Sequence, residues 1–202
     1  KHISRCDYRI TFGDKPIRGT NKLRGELKNL ELMGKRSHEK FIPDYYKYNS
    51  KEVRLKMIQG LFDTDGGVSA VGDVTFSTTS LQLAHDVVEV IQSLGGLCTI
   101  KTRQGRYKKD GVYKDTKLYY KLFIYHESAI DLFSLPRKRK RCRLRVMKNA
   151  NINRSIRTIK YIGREKAQCI MVADKRHLYL TDNFIVTHNT AWNADSLRGD
   201  YA

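Results

Sequence analysis

The stretch LQLAHDVVEVIQSL, Leu81 to Leu94, does most to limit what this chain can become. Its apolar residues return at helical spacing, Ser80 stands where an N-cap belongs, and Gly95-Gly96 closes the run. A helix with one apolar side must bury that side. Strand signals flank it: VSAV and DVTFST before, LCTIKTR and KLYYKLFIYH after, the last two around a predicted loop QGRYKKDGVYKD. An earlier helix starts near Asn49, with Glu52 three residues on as in a capping box. Its apolar positions Val53, Met57, Ile58, Leu61 and Phe62 lead into DTDGG, where Gly66 or Gly67 can take a left-handed C-cap conformation. Before it lie a short helix over KLRGELKNLEL, a polar loop, and an extended FIPDYY; a third helical stretch falls near ESAIDLFSL. Helix, two strands, helix, two strands, helix predicts an α+β unit, αββαββα, with helices on one face of an antiparallel sheet.

After about residue 150 the pattern changes to short alternating strands, TIKYIG, AQCIMVAD and HLYLTD. A second segment, 149–189, is therefore set apart from the first, 1–148, and the residues from Thr190 on, TAWNADSLRGDYA, read as foreign to both.

Charge narrows the partner. The chain has 202 residues, 39 Lys and Arg against 21 Asp and Glu, and a formal charge of +18. An excess of that size points to a polyanion, nucleic acid before an anionic membrane surface. No apolar run is long enough to cross a bilayer, which predicts a chain with no membrane partner. Cys6, Cys98, Cys142 and Cys169 form no CxxC pair, the pattern of reduced thiols in a cytoplasm. The first residue is Lys1 with no signal-peptide pattern after it, which fits a removed start or a fragment.

IQGLFDTDGG, residues 58–67, carries the chemistry of the first segment. Two carboxylates, Asp63 and Asp65, stand at a helix C-terminus, where the macrodipole already favours cations. A divalent metal suits that arrangement; a solvated Asp-Gly turn is the plainer alternative. A calcium loop of the EF-hand type fails on spacing, since its fifth, sixth and twelfth positions would be Gly67, Val68 and Val74.

IQGLFDTDG resembles the LAGLIDADG motif of homing endonucleases. EKFIPDYY, RLKMIQGLFDTDGGV and VTFSTTSLQLAHDVVEVIQSLGG follow one another as in the DOD-type endonuclease domains embedded in inteins, a likeness covering most of residues 30–145. The resemblance implies motif helices that pack at a pseudo-twofold axis, with the small Gly60 permitting close approach. It implies that Asp65 holds Mg²⁺, that Asp63 caps the helix end beside Gly66, and that Lys40 of KFIP polarises or hydrogen-bonds the attacking water. The reaction implied is metal-assisted hydrolysis of double-stranded DNA at a specific site. Such a site takes an acidic residue from each of two motifs, and one motif is present here; the other is expected upstream, with a homodimer as the alternative.

DNA contacts are expected from two regions. Arg103, Arg106, Lys108 and Lys121 lie in alternating strands suited to major-groove readout. Arg137, Lys138, Arg139 and Lys140 belong to RKRKRCRLR, where seven of nine residues are basic and phosphate contacts are favoured over a merely solvated patch. By position, Lys138 is the guessed symmetry mate of Lys40.

At the other end, His188-Asn189-Thr190 combines a proton donor, a cyclising amide and a hydroxyl nucleophile. Asn189 can attack its own carbonyl, form a succinimide and break the bond to Thr190. CIMVADKRHLYLTDNFIVTHNT resembles the C-terminal splicing blocks of inteins, the last strands of an all-β Hint domain. The resemblance makes His177 an aid to cyclisation and gives Cys169 a tuning role between acyl shift and cyclisation. Splicing needs no cofactor but does need an N-terminal intein segment with a Cys or Ser nucleophile. The residues from Thr190 would then open the extein host protein. NADSLRGDYA resembles phage large terminase subunits, DNA-packaging ATPases, with another ATPase as the competitor, so a bacterial or phage-infected cytoplasm is the expected location. The rival readings are a free-standing, maturase-like LAGLIDADG protein and a splicing-only intein whose endonuclease has decayed.

Overall fold

A computed structural model describes residues 2–4, 7–8, 22–142, 156–166 and 170–188. Two short strands, β1 (His2–Ser4) and β2 (Asp7–Tyr8), pair antiparallel. Next come helix α1 (Lys22–Asn29) and a 3₁₀ turn at Ser37–Glu39. A helical turn α2 (Asp44–Lys47) replaces the extended segment expected at FIPDYY. Pro43 sets its entry, because its fixed φ suits the residue before a first helical turn.

The main unit runs α3 (Lys51–Asp65), β3 (Gly66–Val68), β4 (Val74–Thr78), α4 (Leu81–Ser93), β5 (Leu97–Lys109) and β6 (Val112–Tyr125). The sheet order is β3-β4-β6-β5, antiparallel throughout. This is the α+β arrangement the sequence predicts. The final helix is reduced to a 3₁₀ turn at Ala129–Leu132 and a single turn α5 (Pro136–Arg139).

The core is one-sided. Val74, Phe76, Leu122 and Ile124 point from the sheet toward the helices and meet Ile58, Phe62, Leu83, Val87, Val90 and Ile91. Phe62 stacks on Phe76 at 5.5 Å and lies 5.8 Å from Phe133, so the α3 end is clamped between sheet and turn. Ser80 caps α4 as expected, accepting from the Leu83 N–H at 3.1 Å. The α3 cap is Ser50, which accepts from Val53; Asn49 instead accepts from the N–H of Ser50.

Two turns differ from the sequence reading in instructive ways. Gly66 is extended, with φ −77° and ψ 149°, and it begins β3 directly. Its glycine is needed because a Cβ there would lie 2.6 Å from the Phe62 carbonyl oxygen. The expected loop QGRYKKDGVYKD is a β-ribbon, in which Lys109 pairs with Val112 around Asp110-Gly111, φ 53° and 80°. Asp-Gly in a two-residue turn with both φ positive matches the strand twist and lets pairing continue to the tip. VSAV is strand only at Val68.

In the second segment, β7 (Leu178–Thr181) and β8 (Ile185–His188) form a hairpin. TIKYIG and the described part of AQCIMVAD are in no strand; alternation gives a strand only where a neighbour completes its hydrogen bonds. The expected boundary near residue 149 falls outside the described residues. Among the described residues no helix is long and apolar enough to cross a membrane.

Candidate functional site

The helix α3 delivers Asp63 and Asp65 to its C-terminal end, where about 200° of helical rotation separates two residues two apart. They meet different surroundings. The Asp63 carboxylate accepts from the backbone N–H of Ser134 and of Leu135, each at 3.2 Å, and from the Ser134 hydroxyl. Burial pushes its pKa up, but the Ser134 and Leu135 hydrogen bonds and the nearby Lys138 charge outweigh this and hold it below the usual carboxylate range. Asp63 therefore fastens the segment entering α5 and does not cap its own helix.

Asp65 is exposed, and among the described residues no side chain hydrogen-bonds to it. It lines a cleft of about 340 Å³ with Lys40, Ser77, Thr78 and Tyr119. Two side chains distant in the sequence, singled out for metal binding and for handling water, thus share one cavity. Ser80 builds that meeting. Its buried hydroxyl caps α4 and also donates to the Lys40 carbonyl at 2.6 Å. Two residues on, the Ile42 N–H donates at 2.8 Å to buried Asp86, which also takes Lys47 and Gln82. Burial lowers the Lys47 pKa, but Asp44, Asp86 and Glu89 together raise it above its ordinary value. The sequence held no sign of Asp86 beyond a carboxylate on an apolar helix.

Lys138 does not face solvent. It is 8% exposed, and its ammonium donates to the carbonyls of Phe62 at 2.7 Å, Asp63 at 2.9 Å and Gly66 at 2.6 Å. All three N–H donors are thereby used on the carbonyls at the end of α3, the natural place for a cation. Burial, then repulsion from Arg137, lower its pKa, with Asp63 and Asp65 opposing. Arg139 is partly held, one nitrogen donating to the Ile130 and Phe133 carbonyls and another lying 3.5 Å from Asp131, while its side chain stays 37% exposed. Of the four expected phosphate contacts in this run, Lys138 is buried, Arg139 is part-exposed, and Arg137 and Lys140 are exposed.

Register sorts the other expected contacts. The face of the sheet away from the helices carries Lys101, Arg103, Tyr119 and Lys121, with both lysines over the Phe123 ring at 5.4 and 5.6 Å. By alternation along β5 and pairing with β6, Tyr107, Lys109 and Lys114 continue this face into the ribbon. Arg106 and Lys108 fall on the opposite face, where Arg106 pairs with Asp115 at 3.0 Å. Arg103 and Lys121 therefore share the open face, while Arg106 and Lys108 do not. The basic residues of this ribbon face have no acidic neighbour on it.

Gly60 is exposed, and a Cβ there would meet nothing within 4 Å, so this flank of α3 is open. Asp65 is a single carboxylate, and among the described residues no group of three or more His, Cys, Asp or Glu could hold a metal. That one carboxylate is fewer oxygen ligands than a divalent cation takes. In the second segment, the Leu178–His188 pairing sets the His177 and His188 rings 6.1 Å apart. Cys169, Asn189 and Thr190 lie outside the described residues.

Comparison with known proteins adds the following. The LAGLIDADG-like domain family matches residues 52–160. A replicative DNA helicase DnaB of Mycobacterium intracellulare is 33% identical over 179 residues, 87% of this chain and 29% of the helicase. A replicative DNA helicase DnaB of Synechocystis sp. is 26% identical over 134 residues, 63% of this chain and 14% of the helicase. The chain thus spans under a third of either relative.

Proposed function

The chain belongs to the LAGLIDADG-like domain family, and from that premise we propose that it is the C-terminal portion of an intein bearing a DOD-type homing endonuclease. In this reading the first segment cuts double-stranded DNA at a specific site. The observation that carries it is the cleft shared by Asp65 and Lys40, which meets the open face of a basic sheet at Ser77 and Tyr119. Asp65 would hold Mg²⁺ together with a carboxylate from a second motif helix seated on the open Gly60 flank. Bound there, the ion would neutralise charge developing on the phosphodiester. Lys40 orients the attacking water, and the face bearing Lys101, Arg103 and Lys121 holds the duplex. Gly66 is the tight junction that turns the chain from Asp65 into the sheet.

The second segment acts on its own backbone. The Asn189 amide nitrogen attacks the Asn189 carbonyl carbon, the bond to Thr190 breaks, and His188 gives a proton to the departing amine. His177, beside His188 in the hairpin, supports the cyclisation. Thr190 first accepts the acyl group delivered by the N-terminal intein segment, and Cys169 tunes the order of these steps. TAWNADSLRGDYA is then the start of the host, an ATPase. The residues themselves favour a phage terminase, whereas the relatives are helicases; the gene beyond Ala202 decides, since a terminase requires an apolar strand closed by Asp-Glu soon after. The site of action is the cytoplasm of a bacterial or phage-infected cell.

The test of the endonuclease reading is Asp65→Asn in the protein completed with its first motif. Cutting should disappear while duplex binding is largely kept; cutting at the parent rate would overturn the assignment of Asp65. For splicing, mass spectrometry should show release of the peptide after Asn189, lost in Asn189→Ala and slowed in His188→Ala. Release that persists in Asn189→Ala would reject cyclisation.

A further inference from the structure

The basic run splits into two chemical populations. Lys138 spends its three donors on carbonyls of the fold, and Arg139 commits one guanidinium nitrogen to two more. Arg137 and Arg141 are exposed, and their side chains make no hydrogen bond or ion pair among the described residues. They stand four residues apart in a turn that continues past α5, where the Arg141 and Cys142 N–H groups both bond to the Lys138 carbonyl. That spacing puts them on one side. Both line a cleft of about 600 Å³ together with Thr64, Gly66 and Gly67, next to Asp65 in the chain. Among the described residues no carboxylate lines this cavity. Beneath it the Lys138 ammonium adds a third positive charge that cannot move away.

Two exposed guanidinium groups beside a buried ammonium make the cleft favourable for an anion. A guanidinium presents a planar fork that matches two oxygens of one phosphate. The floor of the cleft at Gly66-Gly67 bears no side chain, so a bulky anion can approach the backbone. We propose that Arg137 and Arg141 bind a backbone phosphate of duplex DNA and so hold the strand beside Asp65. This rests on the endonuclease reading and narrows it: Arg141 joins the contact set, while Lys138 leaves it.

The experiment measures binding of the full chain to a random-sequence duplex across a salt series, because a phosphate contact carries no sequence information. Each contact contributes roughly 0.9 to the slope of log affinity against log salt. Because both arginines serve one phosphate, Arg137→Gln/Arg141→Gln should flatten the slope by about 0.9. Its thermal unfolding should match the parent, since neither side chain bonds to the fold. Arg137→Lys/Arg141→Lys should keep most of the slope, as the charges remain. Lys22→Gln/Lys28→Gln on α1, which removes the same charge elsewhere, should leave it unchanged. An unchanged slope in the arginine double variant overturns the proposal and leaves the endonuclease reading intact. An equal loss in the α1 variant also overturns it, because net charge would then explain the effect. An unchanged slope with an altered sedimentation mass would assign the cleft to a protein contact. If the parent chain shows no salt-dependent duplex binding, the endonuclease reading falls with it.

Discussion

Residues 22–142 and residues 156–188 treat apolar side chains in opposite ways. In the first region Ile58, Phe62, Ala84, Val87, Ile91, Leu122, Leu132 and Phe133 are fully buried in one continuous core. In the second, Ile156, Ile159, Tyr161 and Ile162 are each more than four-fifths exposed, and Met171 is 97% exposed. Both regions have strand-like composition, so composition does not separate them. What separates them is a helix with one apolar side: α4 gives the sheet of the first region something to close against. The second region has a two-stranded hairpin, which is marginal in water without a further layer. A core forms where two elements each need the other's apolar face.

The largest effect expected from this difference is at Phe62. Phe62→Ala removes a ring packed between Phe76 and Phe133 and should cost about 3–5 kcal/mol in denaturant unfolding. A loss below about 1 kcal/mol would mean that the core does not depend on the α3 end.

Lys138→Met comes next. It keeps the stem but removes the charged donor from the carbonyls of Phe62, Asp63 and Gly66, and should cost about 1.5–3 kcal/mol by the same measurement. A neutral result would return Lys138 to the pool of solvent-facing bases.

The Asp63 effect is smaller and depends on pH. Its folded pKa lies below the unfolded value, so its contribution is complete above the ordinary carboxylate range and is lost as pH falls through the folded value. Asp63→Asn should flatten the acid side of the stability profile, and an identical profile in the two proteins would show that the Ser134 and Leu135 bonds do not favour the charged form.

The smallest effect should come from the exposed region. Ile159→Ser should change unfolding by less than about 0.5 kcal/mol in this chain. A cost comparable to Phe62→Ala would erase the distinction between the regions.

Much of this was legible from local chemistry. Helix periodicity, the Ser80 cap and the acidic motif ending at Gly66 all depend on residues within a turn or two of each other, and they appear where the sequence put them. The Asp110-Gly111 turn is equally local, but the residues around it are polar, and a ribbon with both faces exposed shows no apolar alternation. The faces of that ribbon were beyond reach, since they depend on the register of β5 against β6 and on the irregularity near Gly105.

The sequence by itself determined the α+β order and the positive charge. Tertiary structure alone decided which of two aspartates stays free and which of four adjacent bases still faces solvent. Asp63 and Lys138 are taken by partners more than seventy residues away, at Ser134 and Phe62. Adjacent residues of one charge look alike in a sequence, but in a helical turn they point in directions about 100° apart. The fold then gives one of them a buried carbonyl and its neighbour an open cleft.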